Sequence, residues 1–378
     1  MTDEAPLGLY LHVPFCEAKC TYCHFAIDPS RPGEDRQERY AAALLREIES
    51  AAGAPADTIY FGGGTPTLLS IERLSRLIAA LRGHFAVAPG AEITVEANPR
   101  DLAAAGYAEL RAIGVSRLSL GAQSFDDFVL REMGRLHSAD DARAAVTSAR
   151  AAGFTSVSLD LILGWPGESE ERWRRNLEAV AALRPDHVSL YVLELEGKTL
   201  LTHRARQGRL ALPDDDLVAD LYRLTLEALA GLGLARYEIS NFARAGHESR
   251  HNAKYWADAA FLGFGMSAHS YLAGRRFWNV ESFGGYCRAM EDAGSARAGE
   301  RVLGPSERIG EALFTGLRRA TGIDLAGFAD RYGADPLQLY AAGLRRPFAA
   351  GLLDVSDGSL RLTEKGVLLS NEVFQIFV

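Results

Sequence analysis

The chain has 378 residues, of which 48% are hydrophobic and 24% are charged, and its formal net charge is −8. This composition is typical of a globular protein with a large buried core, and it excludes disordered and fibrous chains. Acidic and basic residues are mixed along the chain without a long basic run. Because a net negative charge repels phosphate backbones, we expect no nucleic-acid partner.

The first residues and the apolar stretches bear on the location of the protein. The chain starts with an acidic segment, residues 1–6, which lacks the basic-then-apolar pattern of a secretory signal. No apolar stretch approaches the roughly 18–20 residues that a membrane-spanning helix needs. We therefore expect a cytoplasmic protein with no transmembrane segment and at most a transient association with a membrane.

Between residue 7 and about residue 245, short β-branched segments alternate with segments of helical period. The predicted strands are Leu9–Val13, Thr58–Phe61, Glu92–Glu96, Arg117–Leu120, Ser156–Leu161 and Val188–Leu193. The predicted helices are 36–52, 70–84, 101–112, 139–152, 169–183 and 214–232. Such alternation predicts a parallel sheet of the α/β class, whose chemistry lies at the carboxyl ends of the strands. The pattern leaves open whether six units form a partial or a closed barrel.

Three of the four cysteines follow the first predicted strand, in Cys16-Glu-Ala-Lys-Cys20-Thr-Tyr-Cys23. A secreted disulfide framework would scatter an even number of cysteines through a short chain, so clustered thiols favour metal ligation. Three thiolates suit three irons of a cubane cluster and leave its fourth iron open. The alternative is a zinc site, which would need a fourth ligand such as His24.

Glycines and polar residues follow the next strands. Phe61-Gly-Gly-Gly-Thr-Pro-Thr67 ends the second strand, and its glycines either form a tight turn or let the backbone approach a ligand. Polar side chains come at or after the ends of the third to fifth strands, namely Glu96, Gln123, Arg135 and Asp160. Any one of them could cap a helix, but four at one edge of a sheet indicate a binding site.

After residue 245 the pattern changes. Residues 246–304 are rich in Gly, His and aromatic residues and are predicted to be a connecting segment. Helical segments resume near Glu307, and a β-hairpin follows with its turn at Asp357-Gly358. This order predicts a small winged-helix-like domain over residues 305–378. Because the wing carries Asp354 and Asp357, a role in packing or in contact with protein is favoured over contact with DNA.

The cysteine spacing, with Tyr22 before the last thiol, resembles the signature of the radical S-adenosylmethionine (SAM) superfamily. The resemblance implies a 4Fe–4S cluster on Cys16, Cys20 and Cys23 whose fourth iron binds SAM, and reductive cleavage of SAM to a 5′-deoxyadenosyl radical. The protein would bind, orient and shield these cofactors. The implied fold is a radical SAM partial (β/α)6 barrel over residues 1–245.

The same resemblance implies which residues hold SAM. Tyr10 matches a position beside SAM, and the glycine segment resembles a motif that holds the methionine amino end. Glu96 and Arg135 suit the charged groups and ribose of SAM, and Gln123 and Asp160 suit its ribose hydroxyls. The predicted SAM-binding residues are Tyr10, Gly63, Gly64, Thr65, Glu96, Gln123, Arg135 and Asp160.

Within the superfamily, the order of motifs resembles the oxygen-independent coproporphyrinogen III oxidase group and its heme-chaperone branch, HemW. The matching segments span nearly the whole chain and include 10–16, 62–67, 96–99, 237–242 and 251–256. The oxidases carry a fourth cysteine two residues after the third, where this chain has Phe25, and a longer segment before the cluster. Both differences favour the chaperone branch.

The motif His251-Asn-Ala-Lys-Tyr-Trp256 is characteristic of that branch, where its histidine is a proposed heme ligand. A neutral imidazole is a common axial ligand of heme iron, so heme is predicted to bind at His251. The alternative is that His251 is hydrogen-bonded in a polar loop. Tyr255 and Trp256 would stack on a porphyrin or pack in the core, His269 is a second ligand candidate, and Cys287 is predicted to be a core residue.

The leading hypothesis is therefore a heme chaperone that binds a 4Fe–4S cluster, SAM and heme and passes heme to acceptor proteins, respiratory proteins among them. The alternatives are an oxygen-independent coproporphyrinogen III oxidase, which would decarboxylate its substrate by radical chemistry, and a related radical SAM methyltransferase. Phe25 favours the chaperone over the oxidase. Since one fold supports many functions, the choice rests on analogy at this point.

Overall fold

The computed structural model describes residues 5–377, so the first four residues of the acidic start lie outside the described residues. A 12-stranded sheet dominates the fold, and a separate three-stranded sheet lies near the end of the chain. In the described range, no helix has both the length and the apolar character that crossing a membrane would require.

The first two thirds of the chain consist of alternating strands and helices. The strands are β1 Leu7–Val13, β2 Pro55–Gly63, β3 Ala86–Ala97, β4 Arg117–Gln123, β5 Ser156–Leu163 and β6 His187–Val192. The helices are α1 Glu34–Ser50, α2 Ile71–His84, α3 Ala104–Ala112, α4 Asp127–Met133, α5 Ala139–Ala151, α6 Glu170–Leu183, α7 Leu200–Arg206 and α8 Asp215–Gly231. All six predicted strands and all six predicted helices are present, and the short helices α4 and α7 are additional.

Strands β1 to β6 are parallel and neighbours in chain order. The outer neighbour of β1 is β9, Phe261–Phe264, and that of β6 is β8, Asn241–Ala243. The six strands therefore form a partial barrel, as predicted, because both edges pair with other strands and not with each other.

Alternation along the strands separates the two faces of the barrel. In β4, Leu118 and Leu120 belong to the hydrophobic core, whereas the Ser119 hydroxyl donates a hydrogen bond to Asp160 on β5 at 3.0 Å. Successive side chains of a strand point to opposite faces, so the polar residues of β1 to β6 converge on one interior space. We call this space the lumen.

Residues 246–304, predicted as a connection, extend the main sheet. They contain α9 Arg250–Trp256, β9, β10 His269–Leu272, β11 Arg275–Asn279, α10 Phe283–Ala293 and β12 Arg297–Val302. Strand β9 pairs parallel with β1, and β10 to β12 continue antiparallel from it. On the other side, β7 Ala235–Glu238 pairs with β8. These strands, β7 to β12, were hidden in the sequence because each has only three to six residues, too few for a clear periodicity.

The last part of the chain has its own core. It contains α11 Pro305–Gly316, β13 Ile323–Asp324, α12 Leu325–Tyr332, α13 Pro336–Leu339, α14 Ala341–Ala349, β14 Leu353–Ser356, β15 Ser359–Leu362, α15 Glu364–Leu368 and α16 Ser370–Phe374. The hairpin of β14 and β15 turns at Asp357 and Gly358, whose φ angles are 50° and 75°. Positive φ at both positions is the type I′ geometry that the Asp-Gly pair predicts.

Candidate cluster and cofactor site

The cysteine loop follows β1 at the carboxyl-terminal edge of the barrel. Hydrogen bonds from the Cys16 amide to the Asp28 carbonyl (3.1 Å) and from the Asp28 amide to the Pro14 carbonyl (2.8 Å) hold the two ends of the loop together. The Thr21 amide donates to the Met133 carbonyl at 2.9 Å, which ties the loop to α4. Backbone contacts therefore hold the loop, so the side chains of its cysteines are available for ligation.

The three thiols are partly buried and form no disulfide. Burial raises the pKa of Cys16 to about 11 and also raises the pKa of Cys23. A cluster takes thiolates, so its assembly on this loop would release protons. Within residues 5–377, no three His, Cys, Asp or Glu side chains converge as ligands of a single metal ion. A cubane cluster takes one thiolate per iron and has no need of such convergence, so the donor set fits it.

A continuous series of polar contacts joins two of these thiols through predicted SAM-binding residues. The Cys16 Sγ lies 3.5 Å from the Thr65 Oγ1, which accepts a hydrogen bond from the Asn98 Nδ2 at 3.0 Å. The Asn98 Oδ1 in turn accepts from the Arg135 Nη2, and the Arg135 Nη1 lies 3.6 Å from the Cys20 Sγ. The loop, the end of β2, the end of β3 and the segment after α4 therefore meet at one place.

The glycine segment packs tightly against the start of the cysteine loop. A Cβ atom on Gly64 would lie 2.6 Å from the Phe15 carbonyl oxygen, and one on Gly63 would lie 2.6 Å from the His12 ring. Gly63 also has a φ of 109°, which disfavours other residues. The tight turn is therefore observed, and the Gly63 amide faces the lumen, where it donates to Glu96.

Glu96 is the acidic group nearest to that glycine. Its Oε1 accepts a hydrogen bond from the Tyr60 hydroxyl at 2.7 Å, and its Oε2 accepts from the Gly63 amide at 3.3 Å. Burial, with a smaller effect of the Asp160 charge, raises the pKa of Glu96 to about 7. A cationic group bound beside it would favour the ionised carboxylate, which fits the ammonium of SAM.

Asp160 lies on β5, and Gln123 ends β4, the strand between β3 and β5. Asp160 accepts hydrogen bonds from Ser119 (3.0 Å) and Ser158 (3.3 Å), and burial raises its pKa. Gln123 has a φ of 64°, and its Nε2 would lie 2.9 Å from a Cβ atom on Gly121. The Gly121 carbonyl accepts from the Arg135 Nη2 at 2.8 Å, so a glycine here leaves room for both polar side chains.

Tyr10 lies on the lumen side of β1, next to Tyr60 and His12. Its hydroxyl is 3.1 Å from the His12 Nδ1, and the His12 Nε2 is 2.7 Å from the Ala26 carbonyl. Since the Nε2 must donate to that carbonyl, the Nδ1 accepts from Tyr10. His12 thereby connects the lumen to Ala26, near the end of the cysteine loop.

His251 lies in the lumen too, but at its amino-terminal end. It is 1% exposed, its Nδ1 is 2.9 Å from the Thr58 Oγ1, and its Nε2 is 2.8 Å from the Tyr255 hydroxyl. The ring stacks on Tyr60 with a centroid distance of 5.1 Å. Burial lowers the pKa of His251 to about 3, so the imidazole is neutral. Both ring nitrogens have partners, as the hydrogen-bonded alternative predicts, although the residue lies on a helix and not in a loop.

The remaining candidates lie apart from this site. His24 and Phe25 are exposed next to the cysteine loop, with Phe25 60% exposed. His269 is exposed on β10 and stacks on Trp278, and Cys287 is fully buried in the core, as predicted.

Sequence reasoning did not assign roles to three lumen residues, Asn98, Tyr60 and Arg117. Asn98 was visible only as part of the segment after the third strand. Arg117 had a usable signal, since it shares the alternating face of β4 with Ser119 and Gln123.

The comparisons with known proteins agree with this geometry. Residues 10–180 match the family model of the radical SAM superfamily, and residues 303–369 match that of the HemN C-terminal domain. The heme chaperone HemW of Mycobacterium tuberculosis is 42% identical over 97% of this chain and 94% of its own length. The heme chaperone HemW of Bacillus subtilis is 35% identical over 98% of each chain. The chain belongs to the HemW branch of the radical SAM superfamily.

A solved structure shares the architecture of this HemW-branch chain. The coproporphyrinogen III oxidase HemN from Escherichia coli, a radical SAM enzyme, superimposes with a TM-score of 0.85 and 27% sequence identity. The superposition covers 99% of this chain and 90% of HemN. The partial barrel and the C-terminal domain therefore belong to one architecture that is shared by the chaperone branch and the oxidase.

Proposed function

We propose that this protein is a heme chaperone that holds a 4Fe–4S cluster, SAM and heme and transfers heme to acceptor proteins, respiratory proteins among them. The observation that carries the proposal is the near full-length similarity, 42% and 35% identical, to relatives named heme chaperone. Cys16, Cys20 and Cys23 would ligate the cluster. Tyr10, Gly63, Gly64, Thr65, Glu96, Gln123, Arg135 and Asp160 would bind SAM.

The polar contacts at the mouth of the lumen support this assignment. Arg135 approaches Cys20, and Thr65 approaches Cys16, so a ligand bound to the open iron would lie against both residues. When bound, the cluster and SAM would supply reductive chemistry. The residues of this chain would orient SAM through Glu96 and the Gly63 amide.

His251 is the proposed heme ligand, and its surroundings define what binding requires. A neutral imidazole suits iron, and the low pKa of about 3 keeps the ring neutral at physiological pH. The Nε2, however, is engaged by the Tyr255 hydroxyl at 2.8 Å. Heme ligation through this atom requires the ring or the Tyr255 hydroxyl to move.

The coproporphyrinogen oxidase function is the second candidate, because HemN has the same architecture. Phe25 argues against it, since the resemblance to the oxidases calls for a cysteine at this position. The exposed phenyl ring offers no thiolate beside the cluster loop. Decarboxylation of coproporphyrinogen III is therefore not expected when only the cluster and SAM are present.

The experiment that tests the proposal is anaerobic reconstitution followed by two parallel assays on the same sample. The chaperone proposal predicts a Soret band on heme addition and heme transfer to an apoprotein acceptor such as an apocytochrome. It also predicts no protoporphyrinogen IX from coproporphyrinogen III with SAM and reductant. Multiple turnovers of that product would overturn the proposal in favour of the oxidase, and failure to bind heme would favour the methyltransferase alternative.

A further inference from the structure

Arg117 is a buried charged residue to which the proposed function gives no role. It begins β4, is 2% exposed, and its Nε has no hydrogen-bond partner among residues 5–377. Leu118 packs in the hydrophobic core, so Arg117 points to the opposite face, which is the lumen. Burying a charge is costly unless an opposite charge compensates it.

Two acidic residues face the same space. Arg117 pairs in register with Thr94 on β3, two residues before Glu96, and Glu96 pairs with Ser119. The Ser119 hydroxyl donates to Asp160. Burial raises the pKa of both carboxyl groups, and the Arg117 charge opposes that increase in both. Glu96 and Asp160 would otherwise stand as two buried like charges, each disfavouring ionisation of the other.

The tyrosines and histidines around the two carboxyl groups stay neutral near pH 7. Burial raises the pKa values of the surrounding tyrosines well above 10.0, namely Tyr10, Tyr60, Tyr191, Tyr237 and Tyr255. Burial also lowers the pKa of His187 well below 6.5 and that of His251 to about 3. Arg117 is therefore the cation that opposes the rise in pKa of both Glu96 and Asp160, whereas Arg135 lies at the mouth of the lumen beside Cys20.

We propose that Arg117, buried on the lumen face of β4 with an unpaired Nε, is a positioning residue whose guanidinium favours ionisation of Glu96 and Asp160, so that the lumen accepts the cationic ammonium and sulfonium groups of SAM. Arg117 acts through the two carboxylates across the lumen and does not touch SAM itself. This inference rests on the proposed SAM pocket and adds a residue that sets its charge. An arginine suits the role because it stays protonated when buried.

The test measures SAM affinity against pH in the cluster-loaded protein, by equilibrium dialysis, for wild type, Arg117→Met, Arg117→Lys and Arg223→Met. Methionine keeps much of the side-chain volume while removing the charge, and lysine retains the charge. Arg223 is exposed on α8 and pairs with Asp220, so its replacement makes the same change in net charge far from the lumen.

In wild type, affinity should rise with pH as the carboxyl groups ionise. In Arg117→Met, the midpoint of this rise should move upward by about one pH unit, which means roughly tenfold weaker binding below the midpoint and recovery at higher pH. Arg117→Lys and Arg223→Met should keep the wild-type midpoint. A loss of affinity in Arg117→Met by the same factor at every pH, or an unchanged profile, would overturn the proposal.

A second measurement separates this inference from the SAM pocket itself. Infrared difference spectroscopy without SAM follows the C=O stretch of protonated carboxyl groups, with Glu96→Gln and Asp160→Asn assigning the bands. The titration of these bands should shift to higher pH in Arg117→Met. If wild type fails to bind SAM while the bands still shift, the proposed pocket fails and the role of Arg117 stands. If the bands do not shift, the role of Arg117 fails.

Discussion

The hydroxyl of Tyr255 and the Nε2 of His251 lie 2.8 Å apart on adjacent turns of α9, inside the segment His251–Trp256. The proposed heme ligand is therefore held by a residue of its own motif. A second His–Tyr pair makes the same hydrogen-bond contact between strands β6 and β7, since the His187 Nε2 lies 2.8 Å from the Tyr237 hydroxyl. The second pair serves as an internal control for the first.

Tyr255→Phe should strengthen heme binding. Removing the hydroxyl frees the His251 Nε2, and a hydrogen bond of about 1 kcal/mol corresponds to roughly fivefold tighter binding. A heme titration followed at the Soret band measures the change. Tyr237→Phe should leave heme affinity unaltered, and His251→Ala should weaken it. Equal effects of the two tyrosine variants would contradict a role of His251 as the ligand.

The pH dependence of heme binding should reflect the burial of His251. Because burial lowers its pKa to about 3, the ring stays neutral as the pH falls through the ordinary histidine value of about 6.5. Heme affinity should therefore remain level across that range in wild type, since only protonation of the ring would remove the iron ligand. A decline centred near the ordinary histidine value would exclude buried His251 as the ligand.

Single replacement of Cys16, Cys20 or Cys23 by Ala should abolish the visible absorption of the cluster and its iron content. Each thiolate would hold a different iron, so the loss of one leaves a second iron without a protein ligand. Cys287→Ala is the control, because this thiol is fully buried in the core. Retention of iron in a loop variant, or zinc in place of iron in wild type, would refute the cluster assignment.

Glu96→Gln should weaken the response of the reduced cluster to SAM while leaving the cluster intact. The amide keeps the shape of the side chain, but it removes the negative charge beside the Gly63 amide. EPR spectra of the reduced protein with and without SAM measure the response. Glu291→Gln, at an exposed ion pair with Arg39, is the matched control and should respond like wild type. An identical response in both variants would exclude Glu96 from the pocket.

Gly64→Ala should destabilise the protein by about 1–3 kcal/mol, because the new methyl group would lie 2.6 Å from the Phe15 carbonyl oxygen. Gly83→Ala is the opposite case. This glycine lies in α2 with nothing within 4 Å of its Cβ position, so alanine should stabilise by roughly 0.5–1 kcal/mol. Denaturant unfolding of the two variants measures both changes in the free energy of unfolding. An unchanged stability of Gly64→Ala would show that the turn is not tightly packed.

Local sequence patterns were sufficient for the cluster loop and for the six barrel strands. Three thiols within eight residues are held close together by a short stretch of backbone, so a common role as cluster ligands could be predicted before any fold was known. The strands were predictable because each one is either a mostly apolar run or a regular alternation of apolar and polar residues. The Asp357-Gly358 turn was likewise a local property, since both residues accept positive φ.

Only the tertiary structure decided the surroundings of His251 and Arg117. His251 meets Thr58 across 193 positions of chain, and no local pattern reports such a contact. Arg117 was read as the first residue of a strand, and its burial followed only once β3 and β5 had paired on either side of it. Spacing in the sequence determines which residues can act together locally. The pairing of strands that are distant in the chain decides which charged side chains share one buried space, and such charges must compensate each other.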